Sequence, residues 1–198
     1  MLINHETITN TLGPGKRYVI WVQGCNKRCF NCINPSGQKM DSGYVKSMEE
    51  IKKYILSLDG IRGITVSGGE PLLQYNELRK LAFWIKSRTD LDIMLYSGYT
   101  YSEILRKHPD AESFFKNIDI FIDGEYVDKL NTGSMYRGSD NQNIYFFTDR
   151  YRSYAEKILS SKQRDFSFEI DGSGEIYFIG IPPENFYRQF LQELEESE

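Results

Sequence analysis

Cys25-Asn26-Lys27-Arg28-Cys29-Phe30-Asn31-Cys32 holds all three cysteines of a 198-residue chain. Core cysteines scatter, and disulfide frameworks tend to use an even number spread along the chain. A C-x3-C-x2-C run instead brings three soft thiolates to a common point. Three sulfurs suit zinc or an iron–sulfur cluster, and both normally take four ligands. The only histidines, His5 and His108, are far away in sequence. Two readings follow from the residues. Either a distant histidine completes a structural Cys3His zinc site, or a [4Fe–4S] cluster keeps one iron open for something that is not protein.

Upstream, Arg17-Tyr18-Val19-Ile20-Trp21-Val22-Gln23 is rich in aromatic and β-branched residues and follows the turn Gly13-Pro14-Gly15. It predicts a first strand that delivers the cysteine loop from its carboxyl end. Downstream, Ser47-Met48-Glu49-Glu50 is a capping-box signature, with Met48, Ile51, Ile55 and Leu58 at helical spacing and Gly60 as a stop. The next strand, Gly63 to Val66, runs into Gly68-Gly69-Glu70-Pro71. Adjacent glycines at a strand end let backbone approach a ligand, and the glutamate supplies an acceptor there. Alone, the same run is an ordinary turn.

Leu78, Leu81, Ala82 and Ile85 form the apolar stripe of a second helix, with Trp84 beside it. Leu91 to Tyr96 is a third strand leading to Ser97-Gly98-Tyr99-Thr100. A second capping box, Thr100 to Glu103, opens a short helix that Pro109 ends. Ile118 to Asp123 and Asn143 to Phe147 are the fourth and fifth strands. This alternation predicts an α/β fold with a parallel sheet and helical crossovers. Such folds keep ligand chemistry at the carboxyl ends of the strands. The cysteine loop, Gly-Gly-Glu, Ser97-Gly98 and Asp123-Gly124 all fall on that rim.

The tail changes character. Phe166 to Ile170 and Glu175 to Ile179 flank Asp171-Gly172-Ser173-Gly174, a hairpin signature, and Pro183 opens a last helix carrying Phe186, Phe190, Leu191 and Leu194. A net charge of -4 and a pI near 5.4 leave no basic face for nucleic acid. No apolar stretch approaches the roughly 20 residues that span a bilayer. The N-terminus lacks the pattern of a signal peptide, so reduced, clustered cysteines point to the cytoplasm.

The two motifs together, C-x3-C-x2-C and Gly68-Gly69-Glu70-Pro71, resemble the radical S-adenosylmethionine (SAM) superfamily. Four further segments are similar to the anaerobic ribonucleotide reductase activating proteins: Gly13-Pro14-Gly15-Lys16-Arg17, Ser97-Gly98-Tyr99-Thr100, Asp123-Gly124-Glu125-Tyr126 and Arg137-Gly138-Ser139-Asp140-Asn141-Gln142. The resemblance implies an incomplete β/α barrel of mainly parallel strands, a radical SAM core over residues 1–150 and a hairpin-helix extension over 151–198. It implies that Cys25, Cys29 and Cys32 hold a [4Fe–4S] cluster and that Gly68, Gly69 and Glu70 bind the methionine end of SAM. Asn31 becomes a candidate backbone contact to the adenine and Ser97 a candidate for the ribose or carboxylate. Asp123 and Arg137 are candidates for positioning SAM or an incoming glycine loop. The implied activity is reductive SAM cleavage to a 5′-deoxyadenosyl radical, which makes a glycyl radical on a partner, with an anaerobic ribonucleotide reductase leading. A flavodoxin- or ferredoxin-like donor supplies the electron. The alternatives are a stand-alone radical SAM enzyme acting on a peptide or small molecule, and a zinc-stabilised binding module without catalysis.

Overall fold

The computed structural model describes residues 1–170, 172, 174, 176–181, 189, 190, 192, 193 and 196. Its strands are β1 (Leu2–Thr9), β2 (Arg17–Val22), β3 (Tyr44–Val45), β4 (Gly63–Gly68), β5 (Asp92–Ser97), β6 (Ile120–Asp123), β7 (Asn143–Phe146), β8 (Phe166–Ile170) and β9 (Ile176–Gly180). Its helices are α1 (Met48–Ser57), α2 (Tyr75–Arg88), α3 (Tyr101–Lys107), α4 (Ala111–Phe115) and α5 (Ala155–Ser160). Seven strands form one sheet in the order β3-β1-β2-β4-β5-β6-β7.

The centre of this sheet, β2-β4-β5-β6, is parallel as expected. Its edges are not. β1 and β3 add antiparallel strands on one side, and β7 returns antiparallel to β6 on the other. The sequence pattern hid β1 because Leu2-Ile3-Asn4-His5-Glu6-Thr7 alternates poorly, and β3 because it is two residues long. β7 follows β6 without an intervening α-helix, so the right-handed crossover that makes strands parallel has nothing to form it.

Both capping boxes are present, Ser47 with Glu50 on α1 and Thr100 with Glu103 on α3. Each satisfies two orphan N–H groups and fixes the point where a helix leaves the sheet rim. α1 ends at Ser57, earlier than Gly60 would have it, because Leu58 turns extended to join the core. Alternate strand residues Tyr18, Ile20, Val22, Ile64, Val66, Ile93, Leu95 and Phe121 pack against Ile51, Ile55, Leu78, Leu81, Ile85, Ile104 and Phe114 of the helices. The intervening residues face the other way: Val19 and Trp21 meet Leu12 and Ile179, while Met94, Ile120 and Ile122 meet Tyr151. The helical layer therefore covers one face, as expected when the strand order advances in a single direction with right-handed crossovers.

The antiparallel pair β8–β9 matches the expected hairpin. It lies on the sheet face opposite the helices, where Ile179 meets Val19 and Trp21, Glu169 accepts from the Thr7 hydroxyl and Tyr177 stacks on His5 at 4.2 Å. The expected helix from Pro183 falls mostly outside the described residues.

Candidate functional site

The parallel registers set the site. Val22 pairs with Gly68 and Ser97 with Asp123, so the carboxyl ends of β2, β4, β5 and β6 come level. A cavity of about 630 Å³ opens there, lined by Cys25, Cys29, Cys32, Asn31, Gly68, Gly69, Glu70 and Ser97. Eight of the ten residues singled out from sequence thus share one cavity. Asp123 and Arg137 are the two that do not line it.

The cysteine loop is shaped by two reversals. Arg28 and Asn31, each just before a cysteine, have φ of +56° and +53°. Left-handed backbone is costly for a side chain of arginine's size, and asparagine tolerates it better. Cys25, Cys29 and Cys32 all line the one cavity. Burial raises the Cys25 thiol above its usual value; the Lys27 and Arg28 N–H groups oppose that, and the charges of Glu70 and Cys32 reinforce it. Burial raises Cys29 too, against the Tyr126 N–H and with Cys32, Glu125 and Cys25. The thiols are thus close enough to feel one another. Among the described residues, no three His, Cys, Asp or Glu side chains already stand as a cage for a single ion. Both histidines are engaged elsewhere, His5 against Tyr177 and His108 stacked on Tyr75 at 3.8 Å.

Gly68 and Gly69 are required here by the close approach of protein backbone. A Cβ on Gly68 would lie 2.3 Å from the Val22 nitrogen, and one on Gly69 2.2 Å from the Gly24 oxygen. Gly69 N–H donates to Val22 O at 2.7 Å, and Glu70 N–H to Gly24 O at 2.8 Å. The glycine pair therefore pins the start of the cysteine loop onto the end of β4.

Glu70 is almost fully buried, and burial raises its carboxyl against the Leu72 and Gly98 N–H groups, the Ser97 hydroxyl and the Lys27 charge. Oε1 accepts from Leu72 N–H and Ser97 Oγ, each at 2.9 Å, and Oε2 from Gly98 N–H at 2.8 Å. A carboxylate has about four acceptor positions, so roughly one remains for a cationic donor in the cavity. Ser97 gives its proton to Glu70 and accepts from Tyr99 N–H at 2.9 Å, which makes it a strut of Glu70.

Asp123 and Arg137 hold loops. Asp123 accepts from Tyr101 N–H at 2.7 Å and from the Asn143 side chain at 2.9 Å, tying α3 and β7 to β6. Arg137 donates to Gln142 O and the Ser134 hydroxyl. Asn31 reaches Asp128 at 3.1 Å with its side-chain amide.

Sequence reasoning missed Lys27. Its ammonium sits 4.0 Å above the Tyr99 ring and 2.9 Å from Glu125. Desolvation works against its proton, but Glu125, Glu103 and Tyr99 outweigh it and leave the pKa raised. Its position between two ligand candidates was the only available signal. Tyr96 was also missed. It lines the cavity, and its buried hydroxyl has no partner among the described residues.

Residues 11–145 match the family described as a 4Fe-4S single cluster domain. The chain belongs to that family. It is 37% identical over 142 residues to the anaerobic ribonucleoside-triphosphate reductase-activating protein of Enterobacteria phage T4, covering 69% of this chain and 88% of the relative. The protein of that name from Vibrio cholerae is 33% identical over 144 residues, covering 69% and 91%. The pyruvate formate-lyase-activating enzyme of Clostridium pasteurianum is 35% identical over 141 residues, covering 65% of this chain and 56% of that enzyme. The chain is thus an enzyme of the glycyl-radical activating, radical SAM type. Among the described residues no helix is long and apolar enough to cross a membrane.

Proposed function

We propose that this chain cleaves SAM reductively and uses the radical to place a glycyl radical on a partner enzyme in the cytoplasm, foremost an anaerobic ribonucleotide reductase. The observation that carries this is one cavity lined at once by Cys25, Cys29, Cys32 and Glu70. The donor set fits the group: three thiols with no histidine within the lining leave a fourth coordination place for a ligand that is not protein. Held by Cys25, Cys29 and Cys32, a [4Fe–4S] cluster would supply the electron for reductive cleavage of SAM, the chemistry that would take a hydrogen from the partner's glycine Cα.

Cys25, Cys29 and Cys32 hold the cluster in this reading. The spare acceptor position on Glu70 takes the methionine ammonium, with Ser97 fixing the carboxylate. Gly68 and Gly69 keep the cysteine loop at the right height, and Asn31 faces the adenine. Asp123 and Arg137 act at one remove, by holding the loops that border the cavity. One-sided winding supports an incomplete β/α barrel, with residues 1–150 as its core and 151–198 as an extension on the same domain. An open barrel suits a reacting glycine that arrives on another protein. The electron comes from a flavodoxin- or ferredoxin-like donor.

The test is anaerobic reconstitution with iron and sulfide analysis, then incubation with SAM, reductant and a candidate reductase. A doublet glycyl signal by electron paramagnetic resonance is expected. Release of 5′-deoxyadenosine with no doublet on any partner would favour a stand-alone enzyme. Colourless protein with one bound zinc would end the radical reading.

A further inference from the structure

The segment beyond the family match reaches back to the site. Arg164 donates from Nε to Ser134 O at 3.0 Å, from Nη1 to Asn131 Oδ1 at 2.7 Å, and from Nη2 to the oxygens of Arg137 at 2.7 Å and Gly138 at 3.4 Å. Lys162 adds bonds to Thr132 Oγ1 at 2.7 Å and Ser134 Oγ at 2.9 Å, and Met135 N–H donates to Ser161 O at 2.9 Å. One guanidinium thus gathers four acceptors of a loop that would otherwise have to satisfy them with water. Arginine's planar fork carries five N–H donors in fixed directions, so one side chain can serve all four.

The gripped loop is itself bonded to the next. Gln142 accepts from Gly138 N–H at 2.8 Å and donates to Gly124 O at 2.7 Å. Asn141 donates to Glu125 O at 2.8 Å, and Asp140 N–H to Leu130 O at 2.8 Å. That second loop meets the cysteine loop: Glu125 pairs with Lys27 at 2.9 Å, Asp128 accepts from the Asn31 side-chain amide at 3.1 Å, and Tyr126 shares the cavity lining with Cys29. Asn131, Gly138 and Gln142 line the cavity from the first loop, and Gly124, Tyr126 and Asp128 from the second. The extension also supplies Gly180 and Ile181 to the wall beside Trp21 and Leu12.

We propose that Arg164 is a positioning residue of the site: from the extension it locks loop 131–142, and through it loop 124–130, into the wall that faces the cysteines. The inference rests on the radical SAM reading only for the identity of the ligand that the wall contacts. The coupling runs through a continuous chain of hydrogen bonds whose free energy both ends share.

The experiment compares the full chain with Arg164→Met and Arg164→Lys. Hydrogen exchange of residues 124–142 is followed by mass spectrometry, and affinity for S-adenosylhomocysteine by calorimetry on the anaerobically reconstituted protein. Arg164→Met is expected to speed exchange in 131–142 and to carry the loosening into 124–130, with strands β4 and β5 unchanged. Affinity should fall about tenfold, a coupling of ordinary size, with Arg164→Lys recovering only part. If Arg164→Met does not fold, Arg164→Lys reads the same exchange with charge and bulk kept. Loosening confined to 131–138, with 124–130 as protected as before, overturns the proposal. If S-adenosylhomocysteine binds neither protein, the SAM reading fails, while the exchange result still decides the clamp.

Discussion

The two ends of the same four parallel strands are built in opposite ways. At the amino end, Arg17 of β2 is fully buried and pairs with Asp92 of β5 at 2.6 Å. Three further N–H groups of Arg17 donate to Thr65 Oγ1 at 2.7 Å, Pro14 O at 3.1 Å and Ile64 O at 2.8 Å. Tyr151 closes the other side of Asp92 at 2.5 Å. At the carboxyl end, backbone groups are just as well bonded, yet the side chains face a cavity and keep capacity in reserve: three thiols, one position on Glu70, one hydroxyl on Tyr96. A buried charge whose partners are all protein holds a fold together. A buried polar group with a position to spare is where a ligand can bind.

The largest expected effect breaks the carboxyl end alone. Cys25→Ala, Cys29→Ala or Cys32→Ala should each abolish cluster retention and drop activity to background, read as iron and sulfide per chain. Stability should change by only about 1 kcal/mol, because each thiol makes few contacts that folding depends on. Equal losses of cluster and of folding would erase the difference between the ends.

Next comes the mirror experiment. Arg17→Met leaves buried Asp92 with only the half-exposed Arg62, 3.5 Å away, as a charge partner, and should cost about 3 kcal/mol of unfolding free energy, measured by denaturant titration. Because Arg17 lies at the far end of β2 from Cys25, affinity for S-adenosylhomocysteine should hold in whatever fraction remains folded. A matching loss of affinity would show that the amino end does more than support.

Glu70→Gln tests the one residue that belongs to both descriptions. The amide nitrogen must face either the Leu72 and Ser97 donors or the Gly98 N–H, so one donor loses its acceptor at a cost of about 1–3 kcal/mol. The same change removes the charge that faces a ligand ammonium. Stability and affinity should therefore fall together, unlike in either preceding case.

The contrast between the ends also explains what could be read in advance. C-x3-C-x2-C and Gly68-Gly69-Glu70 were legible because local spacing carries them, and the capping boxes because Ser47 and Glu50 sit one helical turn apart. Register then placed them on one rim. Lys27 over Tyr99 and Arg164 on loop 131–138 were not legible, since those partners meet only after the strands align. The structure adds a packing reason for the glycine pair. Its missing side chains make room for Val22 and Gly24, which no one-dimensional pattern reveals. The antiparallel edges escaped for a similar reason: β1 is recognised as a strand only once β2 lies beside it.

The smallest effect sits midway between the ends. Tyr96 projects from β5 onto the face opposite the helices, and its hydroxyl has no partner among the described residues. Burial, reinforced by Tyr136, pushes its pKa up, while the charges of Arg17 at one end and Arg164 in the extension pull against it. Tyr96→Phe removes an unsatisfied donor without opening a cavity, so it should leave the ligand-free protein unchanged or up to about 1–2 kcal/mol more stable. If the hydroxyl belongs to the working end, the same substitution should weaken S-adenosylhomocysteine binding by a few-fold, the size of one neutral hydrogen bond. Gain in stability with no loss of affinity would move the boundary between the two ends up to the level of Ser97, leaving Tyr96 with the half of the sheet that only holds its shape.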